Sequence, residues 1–82
     1  MTDITRGSLV YSRAGKDKGY LFLVIGTEGD YVYLTDGDTR PVEKPKKKKL
    51  KHINRTNNIC ELDFDNISNS MVRKALQCKA GC

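Results

Sequence analysis

The stretch Gly7-Ser8-Leu9-Val10-Tyr11-Ser12-Arg13-Ala14-Gly15-Lys16-Asp17-Lys18-Gly19-Tyr20-Leu21-Phe22-Leu23-Val24-Ile25-Gly26-Thr27 decides the fold. Gly7 to Arg13 alternates as a strand does, with Leu9 and Tyr11 on one face and Val10 on the other. Gly15 and Gly19 then bracket three charged residues, which is the composition of a turn between two extended runs. From Tyr20 to Thr27 the apolar residues are nearly continuous, so this strand is expected to bury both faces. Outward from that pair, Glu28-Gly29-Asp30 makes a tight connection and Tyr31-Val32-Tyr33-Leu34-Thr35 alternates again. Val32 and Leu34 should point inward and leave Tyr31 and Tyr33 on the other face. Asp36-Gly37-Asp38 is a further turn, its two carboxylates serving turn geometry. Short strands at regular spacing predict a mainly β fold, a small barrel.

The chain continues with less regularity. Pro41 and Pro45 frame a stretch ending in Lys46 to Lys49, where mutual repulsion predicts an extended, solvated basic loop over 42–51. Leu50-Lys51-His52-Ile53 is expected as a short fourth strand, Asn54 to Asn58 as a polar turn, and Ile59 to Leu62 as a brief fifth strand. Those limits put the barrel at about 6–62. A C-terminal helix is predicted over about 69–79, with Ser68 as its N-cap and Ile67 stapled against Val72. Its apolar stripe of Met71, Val72, Ala75 and Leu76 is narrow, so it must pack on the barrel or on a partner. All 82 residues are expected to form one domain.

Charge is the most unevenly distributed property. The formal net charge is +5. Residues 1–41 carry five basic and six acidic groups, and residues 56–82 carry three of each. Residues 42–55 carry seven basic groups against Glu43 alone, a net of +6. That strip suits phosphate neutralisation with counterion release, and lysine's compact charge favours affinity over sequence preference. The loop between Gly15 and Gly19 would bring backbone N–H groups, Arg13, Lys16 and Lys18 to one place, which also suits phosphate oxygens.

The spacing of Gly7, Val10, Gly15, Gly19 and Val24 resembles the KOW motif of RNA-binding ribosomal and transcription-factor domains. From Gly7 to Ile53, somewhat over half the chain, the sequence resembles large-subunit ribosomal proteins of the archaeal and eukaryotic type and their small bacterial KOW relatives. Arg40-Pro41-Val42-Glu43-Lys44-Pro45 with Lys48-Lys49-Leu50-Lys51-His52 is similar to the bacterial relatives in particular. Met71 departs from the pattern, standing where a capping-box Glu is expected. The resemblance implies an SH3-like, small five-stranded barrel that binds structured, usually ribosomal, RNA. Carried over by position, it implies an RNA-binding set of Arg13, Lys16, Lys18, Arg40, Lys44, Lys46, Lys47, Lys48, Lys49, Lys51 and His52.

Other chemistries find little footing in the residues. Cys60, Cys78 and Cys82 are an odd number without a CxxC pair, and no HxxxH pair is present, so neither a disulfide framework nor a zinc site is expected. The single His52 has no acidic orienter nearby in sequence, and no nucleotide-binding loop is present, so no enzyme activity and no cofactor are expected. The start Met1-Thr2-Asp3-Ile4-Thr5 lacks the form of a signal peptide, and no apolar run approaches membrane-spanning length. The expected setting is a reducing cytoplasm, the expected partner RNA or the large ribosomal subunit, and the free chain a monomer. A rival expectation is an SH3-like peptide-binding module with an aromatic groove of Tyr11, Tyr31 and Tyr33.

Overall fold

The computed structural model describes residues 4–16 and 18–81, with the side chains of 57 and 78–81 outside that description. Alternation and turn chemistry produce β1 (Ser8–Ser12), β2 (Leu21–Glu28) and β3 (Tyr31–Thr35), close to the limits the sequence predicts. They form an antiparallel meander, with Leu9 opposite Leu23 and Val24 opposite Leu34. β4 (Lys46–Lys49) adds to the outer side of β3, and β5 (Ile53–Ile59) returns to pair with β1. The strand order β4-β3-β2-β1-β5 is SH3-like, and the sheet curls into a half-barrel. Among the described residues no ladder joins β4 to β5, so the curl stays open between them, bridged by a 3₁₀ turn over Leu50–His52.

Four expectations are corrected here, all in the second half. The basic loop over 42–51 is a strand at its centre: Lys49 stands opposite Tyr31, Lys48 opposite Val32, Lys47 opposite Tyr33 and Lys46 opposite Leu34. The expected fourth strand at Leu50–Ile53 is mainly the 3₁₀ turn. Asn54 to Asn58, expected as a polar turn, lies inside β5, and the fifth strand expected at Ile59–Leu62 keeps only Ile59. One physical reason accounts for the two segments that become strands. β1 and β3 each have a free edge after the meander forms, and an edge supplies backbone partners to any extended segment that reaches it, whatever its side chains. Thr56 strengthens the β1–β5 pairing, its hydroxyl donating to the Leu9 carbonyl at 2.6 Å.

Two apolar layers result, one on each face. Val10, Phe22, Val24, Val32, Leu34 and Ile53 fill the inside of the curl, with Leu50 packed against them. Leu9 and Leu23 face the other way, where Val72 of α1 (Asn69–Gly81) covers them. Thus β2 buries both faces, as its near-continuous apolar run predicts, and β1 does so through Leu9 and Val10. The helix is capped as expected: the Ser68 hydroxyl accepts from the Met71 N–H at 3.3 Å, and Ile67 and Val72 join one apolar cluster. Burying Val72 completely contributes about 1.5–3 kcal/mol, which is what such a short helix needs in place of intrinsic stability. Among the described residues no helix is long and apolar enough to cross a membrane.

Candidate nucleic-acid interface

The β1–β2 loop is built from both ends. Gly15 and Gly19 take φ of 83° and 88°, left-handed values that a side chain would strain. The loop is closed at its base by the Gly19 N–H donating to the Ser12 carbonyl at 2.8 Å and the Ser12 N–H donating to the Tyr20 carbonyl at 3.0 Å. The Arg13 N–H donates to the His52 carbonyl at 2.8 Å, fastening the loop to the 3₁₀ turn. The Ala14 carbonyl accepts twice, from the Ser12 hydroxyl at 3.0 Å and from the Lys48 ammonium at 2.9 Å. Lys48 is only 8% exposed, its stem on the inner face beside Val32 and its head reaching back to this loop. The lysine strand and the glycine loop are therefore joined through Lys48, one of the residues the KOW resemblance implies for RNA binding. Lys48 is thus buried between strand and loop, away from the exposed lysines of the strip.

Strand alternation divides the other lysines. Lys47 and Lys49 lie on the outer face, over the Tyr31 ring at 4.6 Å and 5.8 Å. Lys47 also stands 3.4 Å from the Glu28 carboxylate and 5.9 Å from the Tyr33 ring centre. Glu28 accepts from the Tyr33 hydroxyl at 2.6 Å. That hydrogen bond first, and Lys47 second, hold the Glu28 carboxyl below its usual range. The same hydrogen bond and partial burial push the Tyr33 hydroxyl up, and Glu28 pushes the Lys47 ammonium up. Tyr31 and Tyr33 are thus half-buried under lysines of their own chain and do not form an open groove with Tyr11, which lies two strands away on β1.

Lys46 goes to a different place. With Lys16, Tyr20, Phe22, Thr39 and Arg40 it lines a depression at the rim of the curl. Three segments supply its three basic residues: the β1–β2 loop, and, more than twenty residues further along the chain, the turn after β3 and the start of β4. The turn that carries Arg40 is tightly determined. The Asp36 carboxylate accepts from the Asp38 and Arg40 N–H groups and from the Thr39 hydroxyl, each at 2.8 Å. The Arg40 carbonyl accepts from the Thr35 hydroxyl and from the Asp36 and Gly37 N–H groups. Burial alone would raise the Asp36 carboxyl, but the donors from Arg40, Asp38 and Thr39 outweigh it and hold it below its usual value. Arg40 therefore leaves a fixed backbone, and its side chain and those of Arg13, Lys16 and Lys18 make no ion pair with a described residue.

A second depression takes the other side of the loop, lined by Tyr11, Ser12, Arg13, Lys18, Gly19 and Asn54. Tyr20 is 63% exposed and Tyr11 is 42% exposed, so each depression has an open aromatic ring beside cations. These two are the aromatic residues that the reading of the sequence assigned elsewhere or passed over. The signal for them is position, since Tyr11 lies on β1 and Tyr20 immediately precedes β2, at the two feet of the basic loop. Lys51 lies apart, with Lys49, Leu50 and Asp30 around a third depression. Lys44 follows a turn whose neighbour Glu43 accepts from the Asn69 amide at 3.0 Å, an interaction that lowers the Glu43 carboxyl. His52 is half-buried in the 3₁₀ turn. Asp17, Cys78 and Cys82 lie outside the described side chains, and no metal-binding cluster occurs among the described residues. The sequence matches no family model and no curated protein.

Proposed function

We propose that this chain binds RNA through the surface around the β1–β2 loop, with Lys16, Arg40 and Lys46 on one side and Arg13 and Lys18 on the other. The observation that carries the reading is the convergence of basic side chains from three separate segments beside an exposed tyrosine. Cations that track a phosphate backbone, interleaved with rings that accept bases, are the combination nucleic-acid surfaces use. The KOW-like spacing of Gly7, Val10, Gly15, Gly19 and Val24 supports the same reading and directs it toward ribosomal RNA, on the large subunit, in the cytoplasm. The outer lysines Lys47 and Lys49 then act at longer range, by raising the positive potential of the approach. The action is binding alone, with no reaction assigned to it.

Salt titration of RNA binding tests this. Each phosphate contact adds roughly 0.7–0.9 to the magnitude of the log–log slope, so changing Lys16 and Arg40 together to Ala should flatten it by about 1.4–1.8. An unchanged slope would remove those residues from the interface. Co-sedimentation with the large ribosomal subunit at low salt tests the narrower assignment, which fails if the chain stays at the top of the gradient.

A further inference from the structure

Resting on the RNA reading above, we infer that the rim depression takes one unpaired nucleotide: its base stacks on Tyr20, and its phosphate lies among Lys16, Arg40 and Lys46. The chain should therefore prefer single-stranded or bulged RNA to continuous duplex.

An aromatic side chain 63% exposed immediately before β2 contributes little to the core, which Phe22 fills two residues later. Tyr20 is nevertheless held at its backbone, where its carbonyl accepts from the Ser12 N–H at 3.0 Å at the closed foot of the loop. An open ring on a fixed backbone loses little freedom when a base stacks on it. A base paired inside a duplex has both faces covered by its neighbours and cannot offer one to this ring, whereas an unstacked base can.

The cations complete the selection. They border the ring, they come from three segments, and the Asp36 hydrogen bonds fix the Arg40 backbone. Arg40 brings a planar fork suited to two phosphate oxygens, while Lys16 and Lys46 bring point charges. Thr39 shares the depression, but its hydroxyl is already donated to Asp36, so the site holds a nucleotide by stacking and charge and leaves base identity unread. The second depression has a less exposed ring, and the outer-face tyrosines are covered by Lys47 and Lys49. The rim site is therefore the one that should discriminate single strands.

The experiment compares a short oligouridylate with an RNA duplex of equal charge, using the full chain and its Tyr20→Ala and Tyr20→Phe variants. Tyr20→Ala should weaken oligouridylate binding by about 5- to 150-fold, the range of one base–aromatic stack. Tyr20→Phe should keep the affinity, and duplex binding should be nearly unaffected by either change. Thermal unfolding followed by circular dichroism should be the same for all three proteins, because no cavity is opened. Equal losses on both RNAs, or no loss on either, would overturn the stacking assignment while leaving RNA binding in place. If the unaltered chain binds neither RNA at low salt, the RNA reading itself fails.

Discussion

Substituting the four consecutive lysines one at a time separates a strand from a solvated loop. In β4, Lys48 is the buried member, opposite Val32 and hydrogen-bonded to the Ala14 carbonyl. Lys48→Ala removes three methylenes from an apolar setting, at about 0.8 kcal/mol each, or roughly 2.4 kcal/mol. It also removes a charge-assisted hydrogen bond, a loss that the relief of desolvating the ammonium offsets in large part. The expected destabilisation is about 2–3 kcal/mol, a fall in urea midpoint on the order of 1–2 M for a domain of this size. Lys48→Met keeps the stem and should stay within about 1 kcal/mol of the parent. Lys49→Ala, on the outer face, should stay within about 0.5 kcal/mol, and Lys47→Ala should shift the midpoint less than Lys48→Ala does. The assay is urea unfolding followed by far-ultraviolet circular dichroism, since the chain has no tryptophan. Equal and small effects at all four positions would refute the strand register and restore the loop.

Two further outcomes follow from the turn that positions Arg40. Gly37 has φ of 76°, and a Cβ there would lie 2.6 Å from the Asn69 carbonyl oxygen. Gly37→Ala should cost about 1–2 kcal/mol for the left-handed backbone, and more for parting the turn from α1. The melting temperature should fall by at least about 4 °C, and an unchanged melting curve would contradict the packing. Asp36 has a folded-state pKa depressed below its ordinary value, so the stability it contributes is present above that ordinary value and lost as pH falls through the depressed one. The parent should therefore exceed Asp36→Asn in stability at neutral pH by a margin that closes in acid, and a margin independent of pH would count against the carboxylate's role.

Local pattern was enough for some features of this chain. The meander of β1, β2 and β3, the inward Val32 and Leu34, and the Ser68 cap of the helix depend on alternation, turn residues and capping, all readable within a few positions. The positive strip was also legible as an amount of charge, and its seven cations do lie between residues 42 and 55. Where those cations go was not legible. A run of identical residues has no alternation, so Lys46 to Lys49 gave no period to read. The polar Asn54 to Asn58 gave no apolar one.

Pairing settled both segments, because backbone hydrogen bonding to the open edges of β3 and β1 is indifferent to the side chain that carries it. Once β4 is a strand, its two faces send Lys48 inward and Lys47 and Lys49 outward, and its start sets Lys46 beside Lys16 and Arg40. The order of residues along the chain thus determined that it is a small β domain with concentrated positive charge. Only the tertiary structure decided which of those charges share a surface and which tyrosines stand open beside them. Register is a relation between segments far apart in the chain, and no segment contains it alone.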